Sequence, residues 1–397
     1  MRIATGNAYD ASLDPLMRRQ TEMVSAQEHL PPGKRVNRAG DDPAAAARAE
    51  RALAAETRIT AAQRGVDASL NAMTLAESAI GDATDLLHEV RDALVAAGNA
   101  TYTDAERLGL AEKIRGLRDQ LLGVANRTDG AGSHMFAGQD VTQAPFIDSP
   151  GGVSYRGGAG HLQASSGEAL PLSVDGQRAW MGARTGNGVF ETSAAVSTGT
   201  AWIDSGRVTD AALASNGSTY RIEFSVAAGT TTYSVLRDGT PVGTAQPFTA
   251  GQALEIDGRA VTITGAPAHG DAFEMAPSQP GLSVFDVLDR AVADLETPSR
   301  TGTQIAQSNA HNLTHVDAVM SQLQAMRSHV GDTLNRIDHV TGRLDAQKLS
   351  SKTARSDAED LDMVHALSDF KNRQTGYDAA LKSYSMVQKL SLFDYLG

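Results

Sequence analysis

At both ends of this chain apolar side chains recur alternately four and three residues apart, and in the middle they do not. That alternation places them on one narrow stripe of a helix, which is stable only when a second helix covers it. The first stripe runs Tyr9, Leu13, Leu16, Gln20, Met23, Gln27 and Leu30, and stops at Pro31-Pro32-Gly33, which cannot continue a helix. A second helix is predicted from Pro43, with Asp42 as its cap and proline at the first helical position, where the absent N–H costs nothing. Ile59, Gln63, Val66, Leu70, Met73, Glu77, Ile80, Thr84, Leu87, Arg91 and Leu94 keep the spacing until Gly98-Asn99. Unbroken, residues 43–97 make a rod on the order of 80 Å long. So long a helix with so narrow a stripe is unlike a compact enzyme.

A third helix is expected from Thr103 or Asp104, with Leu110, Ile114, Leu117, Leu121 and Val124 on one side, folding back on its predecessor. In the second half Ser283 can cap a helix bearing Phe285, Leu288, Val292 and Leu295. A long stripe follows through Leu313, Val316, Met320, Leu323, Val330, Leu334, Ile337 and Leu344, with polar Arg327 and Thr341 among its places. It weakens near Lys352–Asp360. The last stripe carries Met363, Leu367, Phe370, Gln374, Tyr377, Leu381 and Tyr384, then Leu390, Leu392, Phe393, Tyr395 and Leu396.

From about 150 to 280 the period falls to two. Tyr220, Ile222, Phe224 and Val226 alternate with Arg221, Glu223 and Ser225; Tyr233/Val235, Leu254/Ile256, Val261/Ile263 and Phe273/Met275 repeat the pattern. Asp238-Gly239, Asp257-Gly258 and Gly270-Asp271 separate them, as turns do in antiparallel sheets. The fold class is therefore α+β: a long α-helical bundle or coiled coil formed by both chain ends, with an inserted antiparallel β domain. The expected division is 1–35 with 361–397 as terminal coiled-coil assembly segments, 36–148 with 281–360 as the helical bundle, and 149–280 as a β-rich outer domain.

Thirty-five basic and 47 acidic residues give a net charge of −12, which argues against nucleic acid as a partner. There is no cysteine, hence no disulfide, thiolate metal site or thiol nucleophile. The opening MRIATGNAYDASLDPLMRRQ has no apolar signal-peptide core, and no stretch approaches the roughly 18 apolar residues of a membrane span, so membrane insertion is not expected. His311 and His315 stand one helical turn apart, a spacing that can hold a metal, but no Glu lies between them and a solvated pair is the reading taken. Asp41-Asp42 suits a helix N-terminus without any catalytic role. The glycine runs at 155–160 and 185–188 lack a phosphate-loop pattern and read as loops. No catalytic, cofactor or metal residue is expected.

Five blocks resemble the hook–filament junction proteins of the flagellin-like superfamily, the third kind of flagellar hook-associated protein. They are GKRVNRAGDDPAAAAR (Gly33–Arg48), GSHMFAGQDVTQAPF (Gly132–Phe146), IDGRAVTITGAPAHGDAFEMAP (Ile256–Pro277), SVFDVLDR (Ser283–Arg290) and KLSLFDYLG (Lys389–Gly397), in the family's order. Pro31-Pro32 departs from the small polar residue usual before Gly-Lys-Arg, and Glu168–Ser218 has no match. The resemblance implies a non-enzymatic subunit of the bacterial flagellum. It would be exported unfolded without a cleaved signal peptide and located outside the cell at the junction of hook and filament. Implied partners are the first hook-associated protein, flagellin, neighbouring copies in a ring and a flagellar export chaperone. By the same resemblance the assembly interface comprises Tyr9, Leu13, Leu16, Met23, Leu30, Met363, Leu367, Phe370, Tyr377, Leu381, Tyr384, Leu390, Phe393 and Tyr395. The rival readings are flagellin itself and, from another class, a secreted adhesin.

Overall fold

The computed structural model describes residues 5–164 and 168–389, and of residues 5–12 and 387–389 the backbone alone. The chain divides into two compact units, 1–64 with 340–397 and 65–339.

The first unit holds α1 (Thr5–His29), the opening of α2 (Pro43–Ala97), the end of α7 (Gly302–Glu359) and α8 (Met363–Lys389). α1 packs on α8. The chain leaves α1 where the prolines require it, and Gly33 turns with φ +67. The breaks at the two chain ends are tied to each other. Arg35 N donates to Glu359 O at 2.7 Å and Leu361 N to Gly33 O at 2.9 Å. Lys34 Nζ lies 3.0 Å from the Glu359 carboxylate, and Arg35 Nη2 donates to Ala358 O at 2.9 Å. Asp42 caps α2 by accepting from Ala44 N and Ala45 N at 3.1 and 3.0 Å. Asp362 does the same for α8, accepting from Val364 N and His365 N at 3.0 and 3.1 Å. α7 does not break at Lys352, where its apolar stripe weakens; polar ties carry it to Glu359. Arg355 reaches Glu56 at 3.2 Å and Glu359 at 3.3 Å, and Gln63 bonds both Asp345 and Lys348 at 2.7 Å.

The second unit holds the remainder of α2 and α7 together with α3 (Asp104–Ala125), α6 (Val284–Glu296) and all the strands. Thr103 and Glu106 close a reciprocal capping box at the start of α3. α3 packs on α6. Buried Arg118 of α3 holds Asp148 in two hydrogen bonds of 2.7 and 2.9 Å and Asp289 of α6 in another of 3.0 Å, which ties the two helices together.

The long stripes are half right. In α2, Val66, Met73, Ile80, Leu87 and Leu94 are buried as expected. The second row is Ser69, Ala76, Ala83, Val90 and Ala97, one residue before the expected Leu70, Glu77, Thr84 and Arg91. In α7, Val316, Leu323, Val330 and Ile337 are buried as expected, and the second row again slips by one, to Asn312, Val319, Met326, Thr333 and Val340. Hydrophobicity favoured the larger side chains. In α2 the inward row is mostly small residues, which let helix backbones approach closely.

The β part begins with the hairpin β1 (Phe146–Ser149) and β2 (Gly152–Tyr155), followed by the short helix α4 (Gly176–Trp180). Strands β3 (Ala183–Arg184), β4 (Phe190–Val196), β5 (Trp202–Ile203) and β6 (Arg207–Val208) and helix α5 (Ala211–Ala214) come from the stretch the resemblance left unmatched. Then come β7 (Tyr220–Ala227), β8 (Thr230–Arg237), β9 (Thr240–Pro247), β10 (Ala253–Ile256), β11 (Arg259–Thr264), β12 (Ala272–Pro277) and β13 (Pro280–Leu282). The main sheet runs β4-β12-β7-β8-β9, and every pairing in it is antiparallel. A second sheet is built on β11, and β13 pairs with β3. Asp238-Gly239 and Asp257-Gly258 have positive φ at both residues, as two-residue hairpin turns require. Phe190, Ile203, Tyr220, Ile222, Phe224, Leu254, Val261, Ile263, Phe273 and Met275 form the β core. Where the strands meet the helices, Trp180 packs on Phe136, Phe146 and Phe285 with ring centroids 5.4 to 6.2 Å apart.

Candidate assembly surface

α1 and α8 pack on each other and bury little. α1 opens without an acidic residue in its first turn and carries Pro15 within it; both weaken a helix that must stand on packing alone. Leu13, Leu16, Met23 and Leu30 lie half-buried on the side that meets α8. On α8 the half-buried places are Ala366, Phe370, Tyr377, Ala380 and Tyr384. Arg19 of α1 lies directly over Gly376, where a side chain would collide with its guanidinium, and Arg373 donates to Glu22 O at 3.2 Å. No described side chain of α1 or α8 is fully buried.

The expected seam of α8 is therefore split. Its aromatic row, Phe370, Tyr377 and Tyr384, turns towards α1. Met363, Leu367 and Leu381 are exposed instead; beside the last two the half-buried place is an alanine one residue earlier, Ala366 and Ala380. Val364 at 81 % and Leu367 at 51 % exposure, with Leu381 and Met386, leave apolar surface along α8. α1 exposes Met17 and Val24 in the same way. These four, Met17, Val24, Val364 and Met386, were not among the expected interface residues; they sit outside a four–three count. The side chain of Tyr9, and Leu390, Phe393 and Tyr395 altogether, lie outside the described residues. Exposed apolar side chains gathered on one helix pair make it a candidate contact face.

Asp41 and Asp42 serve the helix start. Backbone N–H groups of Arg38 and Asn37 hold the Asp41 carboxyl below the usual carboxylate range, and the Ala45 N–H together with Arg35 does so for Asp42.

The histidine pair differs from its sequence reading. It is not solvated: His315 is 1 % exposed and His311 partly buried, because α7 turns this face to strand β4. Their rings lie 4.0 Å apart at the centroids, and Glu191 of β4 reaches both. Glu191 Oε1 is 3.1 Å from His315 Nε2 and 3.6 Å from His311 Nε2. The contact with His315 and the Thr185 hydroxyl pull the Glu191 carboxyl down to about 2, against its burial. Burial and the neighbouring His315 push His311 down to about 4. Glu191 is remote in sequence, so a count along the helix could not find it.

Comparison with known proteins places these features. Residues 3–140 match the bacterial flagellin N-terminal helical region, and residues 313–396 the bacterial flagellin C-terminal helical region. Flagellar hook-associated protein 3 of Escherichia coli K12 is 26 % identical over 406 residues, covering 99 % of both chains. The crystal structure of FlgL from Xanthomonas campestris is 30 % identical, with a TM-score of 0.68, over 78 % of this chain and 99 % of that one. That of the flagellar junction protein FlgL from Legionella pneumophila is 25 % identical, with a TM-score of 0.63, over 70 % of this chain and 94 % of that one.

Proposed function

Because the chain belongs to the FlgL family, flagellar hook-associated protein 3, and is a structural protein of the bacterial flagellum, we propose that it joins hook to filament by docking its two terminal helices between neighbouring subunits. In this reading residues 1–35 with 361–397 are the assembly segments, 36–148 with 281–360 a supporting bundle, and 149–280 an outer domain. Leu13, Leu16, Met23, Leu30, Phe370, Tyr377 and Tyr384 hold the helix pair together. Met363, Leu367 and Leu381, with Val364 and Met386, contact the neighbours. Tyr9, Leu390, Phe393 and Tyr395 extend the same surface. The partners are the first hook-associated protein on one side, flagellin on the other and further copies of the chain within a ring, with an export chaperone before assembly. The chain carries no reaction and leaves the cell unfolded without a cleaved signal peptide. No helix among the described residues is long and apolar enough to cross a membrane.

One observation carries the reading: an exposed apolar row on a helix pair that has no fully buried described side chain of its own. Such a pair is marginal alone and gains most when neighbours cover it. The test is complementation of a deletion strain with Leu367→Asp/Leu381→Asp. The expected result is loss of swimming with flagellin shed into the medium, while the purified variant melts like the parent. Normal swimming would overturn the reading. Growth of long filaments from the purified chain alone would transfer it to flagellin, and full motility of the deletion strain to an adhesin.

A further inference from the structure

We propose that Glu191, His311 and His315 form a site for one divalent transition-metal ion of the zinc class, and that the ion fastens strand β4 to helix α7. The inference concerns the second unit and stands apart from the assembly reading.

The donor set comes first. Two imidazoles at i and i+4 on one helix face and a carboxylate opposite are ligands that zinc and its neighbours accept, with the fourth place left to water. The spacing comes next. Ligand atoms roughly 2.0–2.1 Å from a tetrahedral zinc are about 3.4 Å apart. The two distances from Glu191 Oε1, 3.1 Å and 3.6 Å, bracket that value, and one donor atom from each residue can be chosen so that all three lie within 4.8 Å of one another. Among the described residues this is the one grouping of three such side chains at that range.

The third observation is independent of spacing. His315 is buried, yet neither Nδ1 nor Nε2 has a partner with hydrogen-bond geometry; the approach to Glu191 is close but misaligned. A buried imidazole with both nitrogens unpartnered, aimed at a carboxylate, lacks the one thing that would use its lone pair. An ion between the three groups supplies it. The Thr185 hydroxyl already bonds the Glu191 carboxylate, an outer partner of the kind that orients metal ligands.

One group opposes the ion. Arg290 Nη1 donates to His311 Nε2 at 3.1 Å, occupying that lone pair and adding positive charge. Arg290 is exposed and can swing into solvent. Its removal therefore favours metal, whereas a purely structural cluster would gain nothing from it.

The experiment uses the full-length chain without a histidine tag, stripped with chelator and titrated with Zn²⁺ by calorimetry and with Co²⁺ by visible absorption at pH 7. The expected result is one saturable equivalent per chain, a cobalt spectrum of low coordination number and a raised melting temperature of the zinc-loaded protein. His311→Ala and Glu191→Gln, both at partly exposed positions that spare the buried His315, each weaken binding at least about tenfold. Arg290→Gln tightens it. No stoichiometric binding by the parent chain would overturn the proposal. So would binding undiminished in both ligand variants, which would mean adventitious surface histidines only.

Discussion

The two compact units contain stretches of the same two long helices, yet they bury themselves very differently. In the second, Trp180, Tyr220, Phe136, Phe190, Phe273 and Phe285 are wholly enclosed. In the first, α1 and α8 keep every described side chain at least partly open, and Met17, Val24, Val364, Leu367, Leu381 and Met386 face outward. One unit spends its apolar residues on its own stability; the other holds them available. A chain that has to assemble through its ends gains from that division, because ends that folded firmly alone would have no surface left for a neighbour.

The sharpest way to break the contrast is to remove one aromatic ring from each side. Phe273→Ala empties a fully enclosed place and should cost about 3–5 kcal/mol in denaturant unfolding of the purified monomer. Phe370→Ala, half-buried on α8, should cost far less in the same measurement. Equal losses would erase the distinction.

Next in size is Arg259, buried without a carboxylate partner. It donates to Ala214 O at 2.7 Å, Asn216 Oδ1 at 3.0 Å and Ser218 O at 3.1 Å, and stacks 4.7 Å from the Tyr220 ring centre. Arg259→Met keeps the bulk but strands three acceptors, and should cost roughly 2–3 kcal/mol by thermal or chemical unfolding.

In the second unit acid should act through hydrogen-bonded carboxyls. Burial raises the pKa of Asp271, but donation from Thr198 N at 2.7 Å, Ala268 N at 2.8 Å and Gly199 N at 3.1 Å outweighs it and leaves the carboxyl below its ordinary value. Arg118 lowers Asp148 in the same direction. A carboxyl depressed in the folded state adds stability above its unfolded pKa, near 4, and that stability is lost as the pH falls through the folded value. His311, held down to about 4 by burial, adds a loss that begins as the pH falls below the unfolded histidine value near 6.5, so unfolding midpoints should fall gently from there to about 4 and steeply below it. Asp271→Asn should flatten that drop while lowering the midpoint at neutral pH. The smallest effect belongs to Leu367→Ser and Leu381→Ser, within about 0.5 kcal/mol in the monomer.

How much of this could be read from the sequence depended on whether the signal was local. The caps at Asp42, Thr103 and Ser283, the stop at Pro31-Pro32-Gly33 and the Asp-Gly turns are settled by residues within one or two turns, and each stands where expected. So do β7, β8, β10, β11 and β12, whose alternation is clean; β9, exposed throughout and without such alternation, was not expected. The inner rows of α2, α7 and α8 were misplaced by one residue because hydrophobicity ranks Leu70 and Leu367 above Ser69 and Ala366. What decides between them is how closely another helix approaches, and that is tertiary information. β4 escaped notice since only its first residues, Phe190 and Thr192, are enclosed while Glu191 faces α7. The pairing of Glu191 with two histidines more than a hundred positions away left no local trace.

Amide hydrogen exchange on the purified monomer and on the same protein assembled at the hook end tests the central claim most directly. The account predicts that α1 and α8 exchange fast in the monomer and slowly after assembly, while strands β7 and β12 stay protected in both. Slow exchange of α1 and α8 already in the monomer, matching the β core, would contradict it.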